Sequence, residues 1–289
     1  MRRTTRLKQM ARRREAILVP GAANALFARV VEAAGFDCAY ITGAGIANMR
    51  LGAPDIGLIT LSEIADTVWS TADAVDLPLI VDADTGFGNA LNAYRSMRML
   101  ERAGAAAIQV EDQVFPKRCG HFSGKQVIPA AEMVQKIKAM ADARIDDDLS
   151  IIARTDALAI DGIDAALDRA RAYLEAGADI TFVEAPTDAA QMGRIARELD
   201  APQVANIVFG GRTPEPGAER LRQMGFAFVL YANAALQAAL LASREVLEAL
   251  RRHGSLAPVA DRLASFEMRQ QAVAKGVWDA REVRYGAKG

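Results

Sequence analysis

The chain has 289 residues, 51% hydrophobic and 25% charged, with 35 Lys+Arg against 36 Asp+Glu and a formal net charge of −1. That balance gives no global pull toward nucleic acid or an anionic membrane, and no apolar run approaches the roughly 18–20 residues that span a bilayer. Two cysteines, Cys38 and Cys119, exclude a disulfide-stapled secreted fold and make a reducing cytoplasm the expected compartment.

The opening Met1-Arg2-Arg3-Thr4-Thr5-Arg6 is followed by neither an apolar core segment nor a small-residue cleavage site, so no secretory leader is expected. Residues 1–15 read as a helical segment. Its cluster Arg2, Arg3, Arg6, Lys8, Arg12, Arg13 and Arg14 reads as a solvated helix face rather than an RNA- or lipid-contacting arm, because no aromatics interleave it. Beyond it, short apolar runs alternate with amphipathic stretches. Strands are predicted at 16–20, 37–42, 78–84, 106–112, 149–156, 179–185, 203–208 and 226–231, with helices at 90–103, 130–143, 164–176 and 188–199 among the connections. Gly35, Gly104, Gly177 and Gly225 each stand where a helix ends and a strand begins, as a left-handed helix cap requires.

Repeated helix–Gly–strand junctions mean parallel strands with crossover helices. Eight continuously apolar strands fit an α/β fold of the closed (β/α)8, TIM-type class. A doubly wound sheet is the alternative, but the first strand carries no G-x-G-x-x-G turn for a dinucleotide. After the eighth strand, 234–252 and 258–275 read as two long helices, and 276–289 is less patterned. The expected organisation is one barrel domain over 1–289, with 256–289 a C-terminal helical extension.

The strand ends carry the chemistry. Strand three ends Asp82-Ala83-Asp84-Thr85-Gly86-Phe87-Gly88, strand four Glu111-Asp112-Gln113, strand five Arg154-Thr155-Asp156, strand six Glu184-Ala185 and strand seven Asn206. In a barrel these ends form the catalytic rim. Asp82, Asp84, Glu111, Arg154, Glu184 and Asn206 therefore converge, and crowded carboxylates call for a cation. Oxygen donors without histidine favour Mg²⁺ or Mn²⁺ over zinc. In the loop after strand four, Cys119 is flanked by Lys117, Arg118 and His121, a cationic setting that favours thiolate and suits proton exchange near neutral pH. Cys38, inside an apolar strand, reads as packing.

These residues resemble the isocitrate lyase / phosphoenolpyruvate mutase superfamily. The likeness runs through Val19-Pro20-Gly21-Ala22, Tyr40-Ile41-Thr42-Gly43, Gly52-Ala53-Pro54-Asp55, the Asp82–Gly88 segment, Glu111-Asp112-Gln113, Lys117-Arg118-Cys119-Gly120-His121, Ala153-Arg154-Thr155-Asp156 and Asn206. The Lys-Arg-Cys-Gly-His segment is similar to the lyase branch, which handles methylisocitrate, dimethylmalate and related compounds.

The resemblance implies a Mg²⁺-dependent barrel, a homotetramer with its last helices exchanged between subunits, and a small di- or tricarboxylate substrate. It implies that Asp84 binds the cation directly, with Asp82 and Glu111 holding it through water. Thr42, Gly43 and Ala44 would cradle a 2-oxo acid carboxylate, and Arg154 would pair with substrate oxygens. Asn206, Gly120 and His121 would contact the distal carboxylate, Glu184 would orient the site, and Cys119 would protonate carbon. The group that takes the hydroxyl proton stays open among Tyr40, Asp55 and a metal-held water. The expected reaction is C–C cleavage of a substituted malate. The alternatives are oxaloacetate decarboxylation or hydrolysis at the same site, and a barrel that binds a dicarboxylate without catalysis.

Two departures from the family pattern bear on substrate. Phe209, in Ile207-Val208-Phe209-Gly210-Gly211-Arg212-Thr213-Pro214, stands where similar lyases usually have an acid, and Tyr231-Ala232-Asn233 replaces the usual Tyr-Pro. Both disfavour a firm assignment of a tricarboxylate substrate.

Overall fold

The computed structural model describes residues 1–118, 120 and 124–286. Helix α1 (Arg3–Arg13) is followed by β1 (Ile17–Ala22), α2 (Ala25–Ala33), β2 (Ala39–Ile41), α3 (Gly43–Ile46), a π-helical turn (Ala47–Leu51), α4 (Leu61–Ala74) and β3 (Leu79–Asp82). Next come α5 (Ala90–Ala103), β4 (Ala107–Glu111), α6 (Ala130–Ala143), β5 (Ser150–Thr155), α7 (Leu158–Asp161), α8 (Ile163–Glu175) and β6 (Ile180–Val183). The chain then runs through α9 (Ala189–Glu198), β7 (Val204–Asn206), α10 (Ala218–Met224), β8 (Phe228–Tyr231) and α11 (Ala234–His253). A 3₁₀ segment (Ala257–Arg262), α12 (Phe266–Ala272) and α13 (Lys275–Tyr285) follow.

All strands are parallel in the order β6-β5-β4-β3-β2-β1-β8-β7, and a parallel bridge between Thr181 and Gln203 joins β6 to β7. The sheet therefore closes on itself as the (β/α)8 barrel. Each of the eight predicted strands is present, a residue or two shorter at most ends. The glycines at the junctions adopt the left-handed backbone, as at Gly104 (φ 108°) and Gly225 (φ 94°).

Successive side chains alternate across each strand, so every second residue points into the barrel. The lower interior is apolar: Val19, Tyr40, Ile80, Ile152, Phe182, Val204, Phe228 and Leu230 pack together. One step further along, the same alternation brings in Asp82, Glu111, Arg154, Glu184 and Asn206. The strands read as continuously apolar because their other face is buried under the helices.

At the opposite end, α1 lies across the barrel, with Leu7 and Ala11 buried against Val19, Cys38 and Phe228. Its basic face is not simply solvated. Arg3 and Arg6 pair with Asp76 before β3, Arg2 with Asp146 and Asp148 before β5, and Arg14 with Asp200 before β7.

The C-terminal segment differs from expectation. Residues 258–275 do not form one helix. Ser265 caps α12 by accepting from the Met268 amide, and Ala274 takes a left-handed φ of 52°, after which α13 starts at Lys275 and runs on through much of the stretch read as less patterned. Helix α11 has no buried residue, and Leu240, Leu241, Leu247, Phe266, Trp278 and Val283 are all exposed.

Candidate active site

The carboxyl ends of the strands surround a cavity of about 240 Å³ lined by Tyr40, Thr42, Ala44, Asp55, Asp82, Gly120, Arg154, Glu184 and Asn206, all singled out from the sequence. Lys117, Phe182, Val208, Phe209 and Asn233 complete much of its wall. Asp84, Gly43 and Glu111 stand immediately behind these residues. Cys119 and His121 lie outside the described residues.

On the β3 side, Asp82 accepts from the Gly43 amide (3.2 Å) and from the Asp84 amide (3.1 Å). Gln109 accepts from the Tyr40 hydroxyl at 3.0 Å, and its side-chain amide stands 3.5 Å from Asp82 Oδ1. Burial next to Asp82 drives the Tyr40 phenol well above its ordinary range, so it keeps its proton and acts as a donor. Asp84 takes a left-handed φ of 45°, a conformation uncommon outside glycine and concentrated at functional sites. Lys117 Nζ lies 2.9 Å from Asp84 Oδ1 and 2.5 Å from Asp55 Oδ1. Burial works against the lysine's charge, but Asp84, Glu111, Asp82 and Asp55 outweigh it and lift its pKa well above normal.

Across the cavity, Arg154 grips Asp156 with two hydrogen bonds, Nε to Oδ2 at 2.9 Å and Nη2 to Oδ1 at 3.1 Å. Its Nη1 is 3.2 Å from Glu111 Oε2 and its Nε 3.6 Å from Glu184 Oε2, while the guanidinium lies over the Phe182 ring. Asn206 donates to both oxygens of Glu184 at 3.3 Å. Lys125 donates to Asp156 (2.6 Å) and to the Gly120 carbonyl (2.5 Å), tying the loop after β4 onto this cluster. A Cβ on Gly120 would lie 2.5 Å from Arg154 Nη2 and 2.7 Å from the Glu184 carboxyl carbon, so only glycine lets the loop sit there.

Behind the cluster, Asp112 accepts from Thr155 and Tyr173 at 2.7 Å each, from the Asp156 amide at 3.0 Å and from Arg169 at 3.2 Å. It locks the end of β5, and so the backbone carrying Arg154 and Asp156.

The donors suit a hard cation. Burial pushes the Asp84 carboxyl up to about 7, with Asp82 and Asp55 adding to the rise and Lys117 opposing it. Burial likewise raises Glu111 well above the carboxylate range despite Arg154. Glu111 Oε1 is buried without a hydrogen-bond partner among the described residues, whereas Asp84 Oδ1 faces the Lys117 ammonium. The space beside them is kept open by Gly43, whose Cβ would stand 3.1 Å from Asp82 Oδ2 and 3.3 Å from Asp84 Oδ1. Among the described residues no three His, Cys, Asp or Glu side chains converge tightly enough to share one ion directly. Carboxylate oxygens without histidine are the kind of donor a hard divalent cation takes.

Sequence reasoning missed several members of this network. Asp156 was visible two residues from Arg154, on the same side of its strand, and Lys117 was visible but read as a partner for the cysteine rather than for Asp55 and Asp84. Gln109 and Lys125 carried no sequence signal, and Asn233 stood out only as part of the Tyr231-Ala232-Asn233 departure.

Residues 7–251 match the family model described as phosphoenolpyruvate phosphomutase. The chain is 41% identical over 266 residues to the 2,3-dimethylmalate lyase of Eubacterium barkeri, covering 92% of both chains. It is 43% identical over 257 residues to the 2-methylisocitrate lyase of Aeropyrum pernix, covering 89% of this chain and 82% of the relative. Among solved structures, a crystal structure of 2,3-dimethylmalate lyase superposes with a TM-score of 0.94 at 33% identity over 99% of this chain and 96% of that one. Phosphonopyruvate hydrolase in complex with oxalate and Mg²⁺ superposes with a TM-score of 0.89 at 29% identity over 99% of each.

Proposed function

The chain belongs to the isocitrate lyase / phosphoenolpyruvate mutase superfamily, and from that premise we propose that it is a carbon–carbon lyase that cleaves a substituted malate-type 2-hydroxy dicarboxylate, 2,3-dimethylmalate or a 2-methylisocitrate-like compound, into a 2-oxo acid such as pyruvate and a carboxylic acid. One observation carries this reading: Asp82, Asp84, Glu111, Arg154, Glu184 and Asn206 converge from five neighbouring strands, with Tyr40, Thr42 and Asp55 facing the same cavity.

In this reading Asp84 would hold Mg²⁺ or Mn²⁺ directly, with Asp82 and Glu111 reaching it through water. When bound, the cation would supply polarisation of the 2-hydroxyl and its neighbouring carboxylate. Thr42, Gly43 and Ala44 seat that carboxylate. Arg154 pairs with substrate oxygens, its guanidinium held in plane by Asp156 and Glu184. Asn206, Gly120 and His121 take the distal carboxylate. Tyr40 keeps its proton, and in this reading Asp55 on the cavity wall accepts the hydroxyl proton. As that proton leaves, the C2–O bond becomes a carbonyl and the C2–C3 bond breaks. Its electron pair moves onto C3 and into the adjoining carboxylate. Cys119 then delivers its thiol proton to C3, and exchange with solvent resets both groups. In this reading the 117–125 loop would close over the cavity and exclude water from the carbanion.

The exposed apolar side chains of α11–α13 support a homotetramer in which these helices are exchanged between subunits. Its test is the mass in solution.

The test of function is release of 2-oxo acid from a panel of 2-hydroxy dicarboxylates, with Mg²⁺, with Mn²⁺ and with chelator. Cation-dependent 2-oxo acid from a substituted malate is the expected result, lost in Cys119→Ala. Turnover confined to oxaloacetate, or near-full turnover in Cys119→Ala, contradicts the lyase reading. No turnover on the panel with cation bound leaves a dicarboxylate-binding barrel.

A further inference from the structure

Lys136 is a buried charge that the proposed chemistry leaves unused. It lies on the inward face of α6 with Met133, Ile137, Met140 and Ala143, and is 4% exposed. Its ammonium donates to the Thr85 carbonyl at 3.1 Å, and no carboxylate closes an ion pair with it among the described residues. Burial works against the charge, which Glu132 and Asp112 offset only in part. An alkyl side chain would fill the same space at lower cost, so a lysine kept there points to the one contact it makes.

That contact is with the turn that carries Asp84. Four of the five residues from Asp84 to Gly88 have positive φ: Asp84 at 45°, Gly86 at 84°, Phe87 at 62° and Gly88 at 143°. Glycine adopts this backbone freely, whereas Asp84 and Phe87 do so only when their surroundings hold them. The carbonyls of the turn are all engaged: Ala83 accepts from the Gly86 amide (2.8 Å), Asp84 from the Glu111 amide (2.9 Å), Thr85 from Lys136, and Gly86 from the Ser96 hydroxyl (3.1 Å). The two side-chain donors come from α6 and α5, outside the barrel. Helix side chains lean toward the amino end of their helix, so Lys136, in the second turn of α6, reaches back to the rim. Neither Lys136 nor Thr85 lines the cavity.

Resting on the reading that Asp84 holds the cation, we infer that Lys136 is a positioning residue for the cation site: from outside the barrel it clamps the Thr85 carbonyl and, with Ser96, fixes the left-handed backbone of Asp84.

The experiment titrates Mn²⁺ into the cation-free full chain by calorimetry and reads the thermal midpoint of the same samples. Lys136→Met keeps the length of the side chain and removes the donor. It is expected to weaken Mn²⁺ binding about tenfold, as loss of a group behind a metal ligand does, without lowering the midpoint. Ser96→Ala, which removes one neutral hydrogen bond from the same turn, should weaken it about threefold, and it decides the case if the lysine variant does not fold. Met140→Ala, one helical turn further from the rim on the same face, should lower the midpoint and leave Mn²⁺ affinity within about twofold. Unchanged Mn²⁺ affinity in Lys136→Met, where Asp84→Asn weakens it, overturns the inference and leaves the Asp84 reading in place. So does a loss of affinity in Met140→Ala equal to that in Lys136→Met, since general stability would then account for both. Mn²⁺ affinity that Asp84→Asn does not change removes the Asp84 reading and this inference with it.

Discussion

The two ends of the barrel use the same residue types to opposite purpose. At the amino end, Arg2, Arg3, Arg6 and Arg14 reach across the surface to Asp146, Asp148, Asp76 and Asp200, with Asp76 and Asp200 largely in solvent. At the carboxyl end, Arg154, Lys117 and Lys125 are buried among Asp55, Asp84, Glu111, Asp156 and Glu184. Water screens the first set, so each pair adds little. Nothing screens the second, so each group depends on its partners and the ensemble is poised for charged ligands rather than for stability. What holds the amino end is the apolar seat of Leu7 and Ala11 beneath α1.

The sharpest way to break this contrast is at Asp84. Asp84→Asn is expected to lower 2-oxo acid release by about 10³-fold and to weaken Mn²⁺ binding, read by calorimetric titration; unchanged metal affinity would remove Asp84 from the cation site. Next is Arg154→Met, which strips the cation from Glu111, Asp156 and Glu184 together. Chemical denaturation should show a loss of about 3–5 kcal/mol alongside lost activity, and a loss under 1 kcal/mol would contradict the idea that these acids rely on it. Leu7→Ala at the amino end should cost about 2–5 kcal/mol of stability with kcat preserved, since it lies on the far side of the core from the cavity. Arg6→Ala should cost less than about 1 kcal/mol and be masked by salt.

A further effect, visible only at alkaline pH, concerns Cys38. Burial pushes its thiol up to about 12, from an ordinary 9.0. A thiol whose pKa is raised by folding favours the native state while it stays protonated, so this contribution is complete below about pH 9 and is lost as pH climbs toward about 12, by up to roughly 1.4 kcal/mol per pH unit. Stability measured between pH 8 and 10 should therefore decline less steeply in Cys38→Ala. An identical slope would show that the thiol does not carry the effect.

Much of the barrel was legible because its alternation is written in residue type. Apolar positions such as Ile80, Ile152 and Val204 are followed two residues later by Asp82, Arg154 and Asn206, so strand identity and rim chemistry came from one pattern. What escaped depended on contacts between distant segments. The partners of the amino-terminal arginines lie in loops 70 to 190 residues away, and a face that pairs with them reads as merely solvated. Lys117 looked like a neighbour for Cys119 because the two stand close in sequence, whereas its charge faces Asp55 and Asp84 in other loops. The break at Ser265 was hidden because a serine inside an amphipathic run is as compatible with a helix interior as with a cap.

Running the reaction on 2,3-dimethylmalate and Mg²⁺ in D₂O tests the central claim most directly. Carbon–carbon cleavage followed by proton delivery to C3 predicts pyruvate and propanoate in equal amounts, with one deuterium on C2 of the propanoate. Intact substrate after prolonged incubation with the cation-loaded protein, or pyruvate without matching propanoate, would contradict it.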